Sequence, residues 1–115
     1  MLHLSQWYHV HFDENLVYRE VTPPKGAGWS DQFAFMDIVR VCFLTQDLWA
    51  ADELYIFTSG RAESYKIPTE ADGGRALLDE LVRRGLFPAE LLIEAVTTED
   101  QLFCYPPPEE SVGQG

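Results

Sequence analysis

The chain has 115 residues, 46% of them hydrophobic and 13% aromatic, and a formal net charge of −11 from 19 acidic against 8 basic side chains. That length corresponds to one domain and that apolar content to a real core, which excludes global disorder. The charge excludes recognition of nucleic-acid phosphates or of an anionic membrane surface, both of which demand clustered Lys and Arg.

Residues 2–12, LHLSQWYHVHF, set Leu2, Leu4, Tyr8, Val10 and Phe12 on one row, interrupted by Gln6, and His3, Ser5, Trp7, His9 and His11 on the other. This period of two predicts a strand with one face inward. DEN at 13–15 supplies a hairpin turn in which Asn15 can take the left-handed conformation, and LVYREV at 16–21 returns as a second strand. TPPKGAG at 22–28 is punctuated as a loop. The segment FAFMDIVRVCFLT, 33–45, is rich in β-branched and aromatic residues, which outweigh a helix capped by Ser30. It predicts strand pieces at 32–36 and 38–45 with a break at Met36–Asp37. The second piece is apolar on both faces, so it belongs in the middle of its sheet. Asp37 falls at the break, where a bulge or turn belongs. Arg40 can lay its stem across apolar surface towards a carboxylate, so the two charges are either a structural pair or two separate surface anchors.

A loop at 46–53, a strand at 53–58, a turn and a strand at 64–67 follow, the last ended by Pro68. Leu77, Leu78, Leu81 and Val82 then form a helical stripe, with Asp72 as the expected N-terminal cap and Gly85 as the C-terminal one. Asp79 with Arg83 and Glu80 with Arg84 are spaced for i,i+4 pairing. Leu91, Leu92, Ala95 and Val96 mark a second helix, and QLFCY at 101–105 a short last strand. The reading is a single α+β domain over 1–105, a curved and mainly antiparallel sheet of about six or seven strands with two C-terminal helices. Residues 106–115 read as a flexible acidic Pro-rich tail. Cys42 and Cys104 sit in apolar strands, where buried free thiols are the default. A disulfide between them stays open, because the sequence does not give their separation. No apolar run reaches the roughly 18 residues that span a bilayer, and the N-terminus alternates where a leader peptide would carry an apolar stretch. A reducing cytoplasm is the expected location.

Chemistry-bearing patterns are sparse. His9-Val10-His11 places two imidazoles about 7 Å apart on one strand face, and with His3, Asp13 or Glu14 they could ligate a transition metal. The row is the one that faces solvent, however, and no HxxxH or CxxC accompanies it. Neither cysteine has an electropositive setting, no serine lies in a G-x-S-x-G turn, and ADGG at 71–74 lacks the context of a phosphate loop. No enzyme activity and no cofactor are expected. Binding candidates are better founded. Trp49 is bracketed by Asp47, Asp52 and Glu53, and Trp29 sits beside Asp31. An indole ringed by carboxylates suits a basic protein partner, since tryptophan dominates interface hot spots and charge steers encounter. The competing roles are indoles that only cap the core and, from the two apolar faces of 38–45, a homodimer.

The order FMDIVRVCFLT, ELYIFT, YKIPTEADGG, helix, GLFP and FCYP resembles, over roughly residues 8–105, small bacterial proteins with aromatic-x-D-I-x-R-V, aromatic-x-I-P and closing F-C-aromatic motifs. Such proteins look like pleckstrin-homology-like curled sheets, and some are similar to immunity proteins encoded beside toxins. The resemblance implies neutralisation of a basic toxin by tight binding.

Overall fold

The computed structural model describes residues 3–46 and 52–107. Within them, strands β1 (Tyr8–Phe12), β2 (Leu16–Val21) and β3 (Trp29–Ala34) form one antiparallel sheet in the order β1-β2-β3. Strands β4 (Ile38–Leu44), β5 (Glu53–Thr58), β6 (Tyr65–Pro68) and β7 (Leu102–Tyr105) form a second, in the order β6-β5-β4-β7. Helices α1 (Gly74–Arg83) and α2 (Ala89–Ala95) lie between β6 and β7 in the chain. The architecture is therefore α+β, with the seven described strands divided between two antiparallel sheets. The division falls at the break between β3 and β4. There Phe35–Asp37 make a single 3-10 turn, and Phe35 is buried with its ring edge-on to Phe12 at 6.0 Å.

The N-terminal strand is shorter than its alternation implies. Gln6, the polar residue on the apolar row, accepts a hydrogen bond from the His3 N–H at 2.7 Å, and Leu4–Gln6 coil into a 3-10 turn before β1 begins. In the β1–β2 hairpin, Asp13 rather than a left-handed Asn15 organises the turn. Its carboxylate accepts the N–H groups of Asn15 (2.8 Å) and Leu16 (2.7 Å) and the Tyr18 hydroxyl (2.9 Å), an Asx turn. These donors hold the Asp13 carboxyl below its ordinary value.

The facing rows of the two sheets make the core. Val10 and Val17 look inward from the first sheet, and Val41, Phe43, Leu54, Ile56 and Ile67 from the second. Leu77, Leu78 and Leu81 of α1, with Phe87 beyond it, close the interior and are at most 1% exposed. Each such side chain contributes about 1.5–3 kcal/mol. The end of α1 is a Schellman motif: the Gly85 N–H donates to the Val82 carbonyl and the Leu86 N–H to the Leu81 carbonyl, with Gly85 at φ 76°. On the α1 surface Glu80 takes both Arg83 and Arg84, which holds its carboxyl at about 2.

The start of α1 departs from expectation. Gly73, not Asp72, is the N-cap, in the left-handed region at φ 85°. Asp72 is occupied at β1, where its carbonyl accepts the Val10 N–H (2.8 Å) and its N–H donates to the Tyr8 carbonyl (2.9 Å). A Cβ at Gly73 would sit 1.9 Å from the Val10 oxygen, so the ADGG stretch serves this close approach to β1.

β4 is central, flanked by β5 and β7. Asp37 accepts the Ser59 N–H through its backbone carbonyl, and the Arg40 Nε–H donates to the Pro106 carbonyl at 2.9 Å. Among the described residues Asp37 and Arg40 form no ion pair with each other, and each is tied to a different part of the chain. Cys42 and Cys104, which face each other across β4 and β7, form the disulfide that the sequence left open beside the default of free thiols. Among the described residues no helix is long and apolar enough to cross a membrane.

Candidate functional site

Antiparallel register brings Arg19 of β2 opposite Asp31 of β3, and Val21 opposite Trp29. Arg19 is on an inward-facing row and is only 6% exposed. A guanidinium in that position has to be paired and hydrogen-bonded. Its Nε–H and Nη2–H donate to the two Asp31 oxygens at 2.8 and 2.5 Å, the bidentate geometry that arginine favours. Its Nη1–H donates to the Tyr8 hydroxyl and to the Lys66 carbonyl, both at 3.1 Å. The Tyr8 hydroxyl in turn donates to the same carbonyl at 2.6 Å. Burial pushes the Tyr8 phenol above its ordinary value, although the neighbouring guanidinium pulls the other way.

Lys66 belongs to β6, so this cluster ties the first sheet to the edge of the second. The guanidinium also lies over two rings, 4.7 Å from the centre of Trp29 and 5.0 Å from that of Tyr65. Phe33 packs on Tyr65 at 4.3 Å. Trp29 meets Tyr8 edge-to-face at 6.4 Å, yet it stays 46% exposed. Its indole is therefore fixed from below and open above.

Beside it is an open concavity of about 810 Å³. Its apolar wall is made by Leu4, Trp7, Val21, Pro23, Trp29 and Pro68. The rim carries Glu53, Arg61, Glu63 and Lys66, and the cations there are engaged. Lys66 Nζ lies 3.1 Å from Glu53 Oε2. Arg61 donates to the carbonyls of Glu63 (2.9 Å) and Ser64 (3.0 Å) and covers the Tyr65 ring at 3.7 Å. The Tyr55 hydroxyl donates to Glu53 at 2.7 Å, and burial with this carboxylate pushes its pKa up to about 12.

Of the six residues singled out for partner binding, Trp29, Asp31 and Glu53 converge on this site. Asp31 braces Arg19 from behind the indole. Asp52 plays a backbone role, its carboxylate accepting the Gln46 N–H (3.0 Å) and its carbonyl the Thr69 N–H (2.9 Å). Asp47 and Trp49 lie outside the described residues. His9 and His11 are on the outer face, as their row implied. His9 Nδ1 is 2.9 Å from Asp72 Oδ2, which raises its pKa, and His11 stacks on Tyr18 at 4.8 Å. Among the described residues no group of three or more His, Cys, Asp or Glu side chains is arranged to hold a metal ion.

The sequence reading missed Arg19, Trp7, Tyr8, Arg61 and Lys66. One signal was present: LVYREV puts Arg19 between Val17 and Val21 on the inward row, and WSDQF puts Asp31 between Trp29 and Phe33. Charges on two adjacent inward rows have to meet. No family model, no curated protein and no solved structure matches the chain.

Proposed function

We propose that this chain is a non-catalytic protein-binding domain for a basic partner, and that its role is to neutralise a bacterial toxin. The observation that carries the first half is Trp29, an exposed indole immobilised over a buried guanidinium at the mouth of an apolar concavity. Rigid aromatic anchors of this kind dominate interface energy because little side-chain entropy is lost when they are buried. The charge of −11 would steer a cationic protein to the surface. The toxin role rests on the sequence motifs that resemble immunity proteins. A cytoplasmic site of action requires the Cys42–Cys104 bond to resist the reducing pool, whereas an oxidising compartment maintains it unaided.

The test is co-expression with the product of the adjoining gene, provided that product is basic and toxic on its own. Rescue of growth and a salt-sensitive complex are expected. Trp29→Ala should weaken the complex at least tenfold, and Glu63→Lys should slow its formation. Full rescue and undiminished affinity with both variants would refute this surface, and Trp49→Ala would then be the next variant to examine.

A further inference from the structure

Four strands form the edges of the two sheets: β1 and β3 in the first, β6 and β7 in the second. Unpaired edges invite another strand, and proteins block them for that reason. Two of these edges are sealed by the chain itself. β1 receives Asp72, which takes the Val10 N–H and donates to the Tyr8 carbonyl. β6 has its Lys66 carbonyl capped by Tyr8 and Arg19. β7 is only four residues long and runs directly into Pro106 and Pro107, which carry no N–H.

β3 is different. It is six residues long, and its register with β2 fixes which backbone groups are spent. The Phe35 N–H donates to the Asn15 carbonyl at 3.0 Å, so Phe33, Asp31 and Trp29 also turn their N–H and C=O groups towards β2. Ser30, Gln32 and Ala34 turn theirs outward, and among the described residues nothing bonds them. Ser30 and Gln32 are exposed. No lysine, proline or bulge protects this edge, and its one inward-pointing charge, Asp31, is neutralised by Arg19.

We infer that the outer edge of β3 is a docking site for an extended, cationic segment of another protein, which adds as a further strand beside Ser30, Gln32 and Ala34. This rests on the basic-partner reading and specifies how that partner is held. A strand added there would lie about 4.8 Å from β3. On one face its side chains would meet the Trp29 indole and the open side of Asp31. On the other they would meet Ser30, with the exposed Glu20 directly across on β2. Each face therefore offers a carboxylate within reach of a lysine or arginine, and one adds an indole for cation–π contact. A second copy of this chain is disfavoured as the occupant, since each copy carries −11.

The experiment titrates the whole protein with an acetylated, amidated octapeptide of alternating Lys and Val, following the amide resonances of β3 and the Trp29 indole N–H resonance. Saturable binding is expected, with the largest shifts at Ser30, Gln32 and Ala34. Methylating alternate backbone nitrogens of the peptide leaves its charge intact and should weaken binding at least tenfold, without altering the protein. Gln32→Pro deletes an outward N–H that β2 does not use, a change edge strands tolerate, and should have a similar effect. Equal binding of the plain and methylated peptides would overturn strand addition, as would a β3-mediated dimer of this chain. If a basic partner still depends on Trp29 while methylation and Gln32→Pro change nothing, strand docking fails and the binding reading survives. If Trp29→Ala also changes nothing, both fail.

Discussion

Replacing Arg19 by Met tests whether the clamp at the candidate site holds the two sheets together. The substitution removes two charge-assisted bonds to Asp31, one bond each to Tyr8 and Lys66, and the cation between Trp29 and Tyr65. Not all of this is lost. Tyr8 still donates to the Lys66 carbonyl, and the Asp31 side chain, 30% exposed, recovers part of its hydration. Breaking a buried ion pair from one side costs about 3–5 kcal/mol, and the partial exposure of Asp31 places this case near about 3 kcal/mol. For a chain of this size that lowers the melting temperature by roughly 10 °C. The double variant Arg19→Met, Asp31→Leu leaves no orphaned charge and should recover about half of the loss. Urea unfolding of the four proteins in the cycle supplies the coupling energy. The Trp29 indole N–H resonance of Arg19→Met should move towards its solvent-exposed position as the indole loses its support. A single variant within about 1 kcal/mol of the parent, or a coupling energy below about 0.5 kcal/mol, would show that the pair does not bind the sheets.

Four further outcomes follow from the same structure. Gly73→Ala forces a side chain into the left-handed region and against the Val10 carbonyl, so chemical unfolding should show a loss of about 3 kcal/mol, while Gly60→Ala, with nothing within 4 Å, should be neutral. Cys42 and Cys104 are 62 residues apart, so reduction of their bond, or Cys42→Ala with Cys104→Ala, should cost about 4 kcal/mol by the chain-entropy relation, read as a lower urea midpoint. Glu80 titrates at about 2 in the folded chain against 4.5 when unfolded, so its contribution is complete above pH 4.5 and is lost as pH falls towards 2. Unfolding between those pH values should therefore be less pH-dependent in Glu80→Gln. His9 has the opposite sign. Asp72 raises its pKa, so its stabilisation is present below the ordinary histidine value and is lost as pH rises through the folded one. An Asp72→Asn variant should move the His9 titration, followed by NMR, down towards its ordinary position.

Local patterns made much of the fold legible. Alternation placed β2 and β5 at their observed bounds, and the interrupted apolar phase at Met36–Asp37 marked the 3-10 turn between β3 and β4, although β3 runs from Trp29 to Ala34 where 32–36 was expected, with Phe35 and Met36 already in the turn. The leucine stripe and Gly85 located α1 and its end. The failures come from contacts that alternation does not encode. Gln6 bent the first strand into a turn, through a bond to His3. Asp72 was drawn away from α1 by β1, and the 62-residue separation of Cys42 and Cys104 concealed that they face each other. For the candidate site the limit was the same. Trp29, Asp31 and Glu53 were named, but what brings them together is Arg19, whose bond to the Lys66 carbonyl spans 47 positions of chain.

That long-range bond also bears on how Trp29 would act as an anchor under the proposed function. A free surface tryptophan must give up rotamer freedom on binding, at about 0.5–1.5 kcal/mol per immobilised side chain. Here part of that freedom is already restricted, because the guanidinium lies over one face of the ring and Tyr8 packs against it at 6.4 Å. The desolvation of Arg19 is likewise met during folding, by Asp31, Tyr8 and the Lys66 carbonyl. What remains for a partner is burial of the open face of the ring and of the concavity beside it. If this is correct, Arg19→Met should weaken binding of the Lys-Val peptide even at temperatures where the variant is fully folded. Unchanged affinity in the folded variant would mean that the clamp stabilises the domain without shaping its surface.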